Sequence, residues 1–501
     1  MGFLQAVHSL GEMVSSKNQD SPLADIMNYL QLPYSLEETE DRAVHVLRVW
    51  LEAADCYSEV LDIKGISHID KIEYAAIGKD EMQIRERCLY REPVGRNVSW
   101  RFSPLHKLGK ASKDVTKSLL GNGWQTDNKS IFYKLYNNVL TDYEKLGYFS
   151  EGSVDRIMAG LIDLVDKIAE YWNDSKRSYL LIFGVKNEDN FLYPGELPAF
   201  TKYFRKKFKP DSSEAAKVKG KDQPEIYCAL CGEWSHEVKT LDKVFKFATF
   251  DKPGFLPGTK DGIGVKEKVF PVCEKCYGTL SAGREEMDNR FISYEARLGV
   301  NLYVIPEIVF NKREYYRMAT DFTKDFLIKG IKHEPFLFNN LARHQEGLVY
   351  HFLFAEPNQA QLIVHSLIED VPPTRLKRLE ELWKETCLAF GYDDDSENKG
   401  RLSLDTSLRQ IIAVMLSLAG KTEQDKTVMR EKIITIISAL LNGEQVRTND
   451  IKTLMVSRLT GLFNDPDWIR PKEKDKLPGR LQMKGMAQVI DFLIRANGRE
   501  K

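Results

Sequence analysis

Four of the seven cysteines fall in two C-x-x-C pairs, Cys228 with Cys231 and Cys273 with Cys276, spaced as C-x2-C-x41-C-x2-C. Zinc prefers four tetrahedral nitrogen or sulfur ligands, and each pair supplies a two-ligand knuckle. The intervening excursion is longer than in short zinc ribbons, but only the knuckles must converge. The spacing therefore predicts a structural four-thiolate Zn2+ site at Cys228, Cys231, Cys273 and Cys276. Two other readings compete with it: ordinary thiols, and His236 replacing one cysteine. A redox C-x-x-C would not need a second pair. Four thiolates close the coordination shell and leave no position for a catalytic water. A zinc deaminase would need His-x-Glu upstream of Pro-Cys-x-x-Cys. Here Glu237 follows His236 directly and Pro271 stands one residue too far from Cys273, which speaks against deamination.

Cationic side chains with interleaved rings form the second chemical pattern. Met82 to Leu119 carries nine Lys or Arg against three acids. Arg85, Arg87, Arg91, Arg96 and Arg101 are followed by Lys107, Lys110, Lys113 and Lys117, with Tyr90, Trp100 and Phe102 among them. Guanidinium groups hold phosphates bidentately and exposed rings stack on unpaired bases, so this segment is a candidate nucleic-acid surface. A second patch holds Lys202, Arg205, Lys206, Lys207 and Lys209 around Tyr203, Phe204 and Phe208. A third runs from Arg470 to Lys484, diluted by Glu473 and Asp475. The competing reading is a solvated surface whose cations pair with acids elsewhere in the chain.

Other catalytic signatures are missing. The sequence has no Gly-x-x-x-x-Gly-Lys-Ser/Thr phosphate loop, no His-Glu-x-x-His helix, no adjacent His-Asp pair and no Gly-Gly-Asp-Asp. Asp393, Asp394 and Asp395 read as a solvated loop. These absences shift weight from an enzyme toward a binding protein.

The elements that must position these groups follow from composition and periodicity. The 501 residues are 43% apolar and 29% charged, and 72 basic residues nearly balance 73 acidic ones, an ordinary globular balance for two to four domains. The longest apolar runs, such as Ile411 to Leu416, are far shorter than the roughly 18 residues of a bilayer span. No secretory signal is recognised, so a cytoplasmic location without a membrane partner is expected. Short helices are expected at Phe3 to Val14 and Leu23 to Leu30, and strands between about Val44 and Ile77. Met82 to Leu119 reads as loops with short strands. From Ser153, taken as an N-cap, the stripe Ile157, Leu161, Leu164, Val165, Ile168 and Trp172 predicts one helix, and Tyr179 to Val185 a strand. Val349 to Ala355 and Gln361 to Leu367 read as paired strands joined at Pro357 and Asn358. Beyond Thr374 helical stripes dominate, with Gly420 and Gly443 at C-cap positions.

With these residues in hand, the chain resembles the large subunit of the type I-B CRISPR Cascade, an RNA-guided DNA surveillance complex. Tyr-Cys-Ala-Leu-Cys-Gly at Tyr227 to Gly232 is answered by Phe-Pro-Val-Cys-Glu-Lys-Cys-Tyr at Phe270 to Tyr277, with Gly283 shortly after. His-Phe-Leu-Phe-Ala-Glu-Pro-Asn-Gln-Ala at His351 to Ala360 precedes Glu-Asp-Val-Pro-Pro-Thr-Arg at Glu369 to Arg375. The resemblance covers roughly residues 225 to 380. It implies a noncatalytic subunit that joins CRISPR guide RNA, recognises the protospacer-adjacent motif on double-stranded target DNA, helps open the duplex and stabilises the R-loop. The implied partners are the backbone, guide-end-capping and small subunits, and an effector helicase-nuclease or transposition proteins. The C-terminal helical part would resemble a Cascade small subunit.

The reading is an α+β chain: a mixed N-terminal body, an inserted four-cysteine zinc module and a C-terminal α-helical bundle. Its regions are 1–221, contacting nucleic acid; 222–285, binding zinc; 286–390, continuing the body; and 391–501, the bundle. The functional alternative is a zinc-containing nucleic-acid-processing enzyme, a nuclease with an unrecognised active site.

Overall fold

The computed structural model describes residues 2–15, 21–34, 36, 44–92, 98, 100–208, 226–236, 238–245, 268–295, 297–308, 317–321, 323, 337–342, 347–358, 361–392, 400–420, 422–469 and 479–498. The chain is α+β and forms two compact units. One comprises Val14–Lys243 with Gly264–Ala282, the other Met1–Met13, Val244–Ile263 and Gly283–Lys501. Each is assembled from separated stretches of the chain.

The unit containing Val14–Lys243 is built on a five-stranded sheet. Strands β1 (Val44–Ala53), β2 (Ile63–Glu73), β3 (Leu105–Lys110) and β4 (Ser178–Asn187) lie in the order β2-β1-β4-β3, and β5 (Asn190–Leu192) folds back on β4. β1 runs parallel to β4 and antiparallel to β2. The two central strands are buried along almost their whole length, as β-branched and aromatic runs at the middle of a covered sheet must be. Val46, Trp50, Leu180, Ile182 and Phe191 form one core cluster with Ile84 and Cys88.

Two expectations are corrected in this unit. Within Met82 to Leu119 the structure has a helix, Glu81–Cys88, where loops were expected. The Asp80 carboxylate accepts the N–H of Gln83 and so supplies an N-cap that starts it. The helix from Ser153 is divided at Leu164 into Ser153–Asp163 and Val165–Tyr171, and its N-cap residue is Gly152. Ser153 is buried, its hydroxyl accepting the N–H of Ile63. The capping carboxylate is that of Glu144, which accepts the N–H groups of Gly152 (3.0 Å) and Val154 (2.9 Å).

This unit also holds four two-residue strands, β6 (Ile226–Tyr227), β7 (Trp234–Ser235), β8 (Val238–Lys239) and β9 (Val272–Cys273), paired β6 with β7 and β8 with β9. β9 leads directly into the helix Glu274–Arg290.

The other unit carries an antiparallel four-stranded meander, β10 (Ile292–Glu295), β11 (Val300–Ile308), β12 (Leu348–Asn358) and β13 (Gln361–Val371). Both expected strands of the β12–β13 hairpin are present. Pro373 opens the helix Pro373–Ala389 as its first residue, where a missing N–H costs nothing. Leu404–Ser417, Glu423–Asn442, Thr448–Phe463, the short Pro466–Ile469 and Gly479–Asn497 are the helices that follow among the described residues. Ile433, Ile436, Ile437, Leu440 and Leu441 are buried as their spacing requires, and Gly443 ends that helix at φ +77°. Gly420 lies two residues beyond the observed C-cap, Leu418. In Thr448–Phe463 only Ile451 and Met455 are buried.

Candidate metal centre and basic surfaces

The hairpin of β6 and β7 forms the first knuckle. Cys228 N–H donates to the Glu233 carbonyl (2.9 Å) and Gly232 N–H to the Cys228 carbonyl (2.9 Å), which folds the chain back within five residues. Gly232 adopts φ +73°, a conformation that a side chain would disfavour. Ala229 N–H reaches the Pro271 carbonyl (2.8 Å), tying this knuckle to the second. There Cys273 ends β9, and Cys276 sits in the first turn of the helix that follows.

The four sulfurs cluster at 3.6–3.9 Å from one another. A tetrahedral ion bound at about 2.3 Å by four thiolates places the sulfurs about 3.8 Å apart, so the observed set fits a metal centre. A disulfide would need about 2.05 Å, and all four cysteines are free. Cys228 and Cys276 are buried and Cys231 is exposed. His236 is exposed and outside the sulfur cluster.

Backbone donors prepare the site for negative charge. Cys273 N–H points at the Cys228 sulfur (3.4 Å), and Cys276 N–H at that of Cys273 (3.5 Å). Burial opposes ionisation of Cys228, but the N–H groups of Cys231, Cys273 and Leu230 outweigh it and bring the thiol down to about 7. Cys273 and Cys276 move up, first through burial; a hydrogen bond with Cys231 comes next for Cys276, and the charge of Cys228 adds to both. Four thiolates crowded together repel, and a divalent cation removes that repulsion.

Arg85, Arg87, Arg91 and Arg101 of the first basic segment are engaged within the fold. Arg85 is buried, donating to the Leu30 carbonyl (3.1 Å) and to Glu81 (2.8 Å). Arg91 is buried, donating to the Tyr29 carbonyl (2.9 Å) with its guanidinium 5.0 Å from the centre of the Phe208 ring. Arg87 pairs with Glu196 (3.1 Å) and lies over Tyr193. Arg101 donates to the carbonyls of Trp100 and Val98. Lys107 is 3.9 Å from Glu92 and lies over Tyr90, while Lys110 and Lys113 are exposed.

In the second segment Arg205 pairs with Asp25 (2.8 Å) and Lys207 with Asp142 (2.6 Å), and exposed Lys206 lies 6.0 Å from the Tyr148 ring centre. The two segments meet through their rings: Lys207 lies over Trp100, and Phe102 packs on Phe204 and Phe208. Arg96, Lys209, Asp393 to Asp395, and the third patch up to 478 lie outside the described residues.

A cluster that spacing does not reveal lies in the other unit. Fully buried His351 on β12 holds Glu307 of β11 through Nε2 at 2.7 Å, and its Nδ1 accepts the N–H of Asp370 at 3.4 Å. Asp370 occupies a bulge of β13 at φ +58°. Both ring nitrogens are thereby engaged, which satisfies a buried polar pair.

Residues 225–371 match the family described as CRISPR-associated protein TM1802, central domain. The matched span contains both knuckles and all strands from β6 to β13, and it supports a CRISPR-associated protein. No curated protein matches the chain. Among the described residues no helix is long and apolar enough to cross a membrane.

Proposed function

We propose that the chain is the noncatalytic large subunit of an RNA-guided CRISPR Cascade complex of the type I-B kind. The observation that carries this reading is the four-sulfur cluster inside the segment matching a CRISPR-associated central domain. Zn2+ is the ion that suits four thiolates in a closed tetrahedron, and it serves to hold the knuckles together. In such a complex base pairing with the guide supplies sequence discrimination. The protein then recognises a short motif beside the target, aids duplex opening, steadies the displaced strand and helps to recruit an effector helicase-nuclease or transposition machinery.

The test is reconstitution. Co-expressed with a guide RNA and Cascade backbone subunits, the chain should co-purify with them, and omitting it should abolish binding to motif-bearing duplex. The purified chain should leave single- and double-stranded DNA and RNA intact in Mg2+ or Mn2+. Cleavage lost on replacing one specific carboxylate would establish the nuclease alternative instead.

A further inference from the structure

Several arginines that stand out in the sequence are engaged inside the fold, whereas a set of lysines, two of them from the same segment, is not. A cavity of about 450 Å3 opens between β3, the short helices Val115–Leu120 and Ile131–Lys134, and Trp172. Five lysines line it: Lys107, Lys110, Lys117, Lys129 and Lys134. Its one acid, Asp127, accepts the backbone N–H groups of Asn122 (3.2 Å) and Lys129 (3.0 Å) and so closes its own loop. Among the described residues, Lys110, Lys117, Lys129 and Lys134 have no carboxylate within ion-pair distance. This contrasts with Arg87, Arg205 and Lys207, each paired to an acid.

The walls of the cavity are fixed by the fold. Trp172 Nε1–H donates to the Gly109 carbonyl (3.2 Å), and the Ser130 hydroxyl caps the chain before Lys134 by accepting the N–H of Tyr133 (3.2 Å). His106 registers the local field: desolvation first, then the charges of Arg101 and Lys134, push its ring down to about 4, so it is neutral at pH 7. Lys129 and Lys134 share the field of Asp127, so the one acid offsets part of the charge of five lysines, and an anion bound on the concave surface relieves the repulsion that remains. The volume lies within the roughly 300–1,000 Å3 of ordinary ligand pockets.

We propose that this cavity is a phosphate-binding site that takes the backbone of a nucleic-acid strand, with Lys110, Lys117, Lys129 and Lys134 as its contacts. The assignment deepens the proposed function and rests on it for the choice of a strand over a free nucleotide. Ammonium groups on separate elements grip phosphates as point charges without reading bases, so binding is independent of sequence.

The test is fluorescence anisotropy of the full chain with a labelled single-stranded DNA of mixed sequence, across a salt series. Lys117→Ala, Lys129→Ala and Lys134→Ala together should weaken binding at least tenfold and reduce the slope of log affinity against log salt by about two, at roughly 0.7 per phosphate on a single strand. A control variant losing three exposed lysines of the same unit, Lys79, Lys145 and Lys186, should change affinity less than twofold. Equal losses in the two variants, or none in the first, would overturn the site. Displacement of the strand by micromolar ATP would overturn the strand as its ligand. A chain that fails to join a guide-RNA complex, while the cavity variant still loses strand affinity, would sink the Cascade reading and leave the site standing.

Discussion

The backbone N–H of Cys273 donates across 3.4 Å to the sulfur of Cys228, so the main chain of one knuckle stabilises the thiolate of the other. The two halves of the site are therefore coupled before any ion is considered, and removing one ligand disturbs both.

Cys228→Ser or Cys276→Ser should abolish metal retention. Freshly prepared wild-type protein should carry about one zinc per chain by elemental analysis. Loss of a ligand forfeits part of an apparent site energy on the order of 10 kcal/mol, so the thermal midpoint should fall sharply and prolonged chelation should reproduce the fall. Absence of zinc from the wild type would contradict the assignment.

Metal retention should also depend on pH with a defined sign. Cys228 is depressed to about 7, so the stability it confers as a thiolate is present above the ordinary thiol range and lost as pH falls through about 7. Cys273 and Cys276, raised by burial and by neighbouring thiolate, hold their protons in the metal-free chain, and the ion must displace them. Apparent affinity should therefore rise with pH and drop at least about tenfold per unit below pH 7, measured by competition with a chromogenic chelator.

Arg91→Ala should act on stability rather than on a polynucleotide. The substitution strips the Tyr29 carbonyl of its donor and removes the cation from the Phe208 ring. A cost of about 2–3 kcal/mol is expected, seen as a lower urea midpoint with the slope unchanged. Strand affinity of the folded variant should stay within a factor of two.

Gly283→Ala should destabilise by overpacking. A Cβ at this position in the helix Glu274–Arg290 would lie 2.0 Å from the Val7 carbonyl and 2.9 Å from the Gly11 nitrogen of the helix Phe3–Ser15. Backbone cannot yield as a flexible side chain does, so a loss of about 1–3 kcal/mol is expected in denaturant unfolding.

How much was legible in the sequence depended on how local the cause was. β4 and β12 could be read because a strand buried on both faces needs a continuous apolar run. The convergence of the four cysteines could be read because two C-x-x-C knuckles form a local pattern that is visible in the chain itself. The Ser153 cap could not, because the capping carboxylate of Glu144 arrives from the preceding turn and leaves the serine hydroxyl to serve Ile63. The burial of Arg91 was hidden too, since its ring partner Phe208 is more than a hundred residues away in the chain. Lys129 and Lys134 passed unremarked, because their meaning lies in facing Lys110 and Lys117 across a cavity rather than in any run of charge.

The paired knuckles have a consequence for the chain between them. An ion shared by the four sulfurs would make Cys231 and Cys273 the two ends of a clasp around the 41 residues between them. Doubling such a loop costs only about 0.6 kcal/mol of closure entropy. Loss of the ion would release both ends of that interval at once and slacken β8, which pairs with β9 at Cys273.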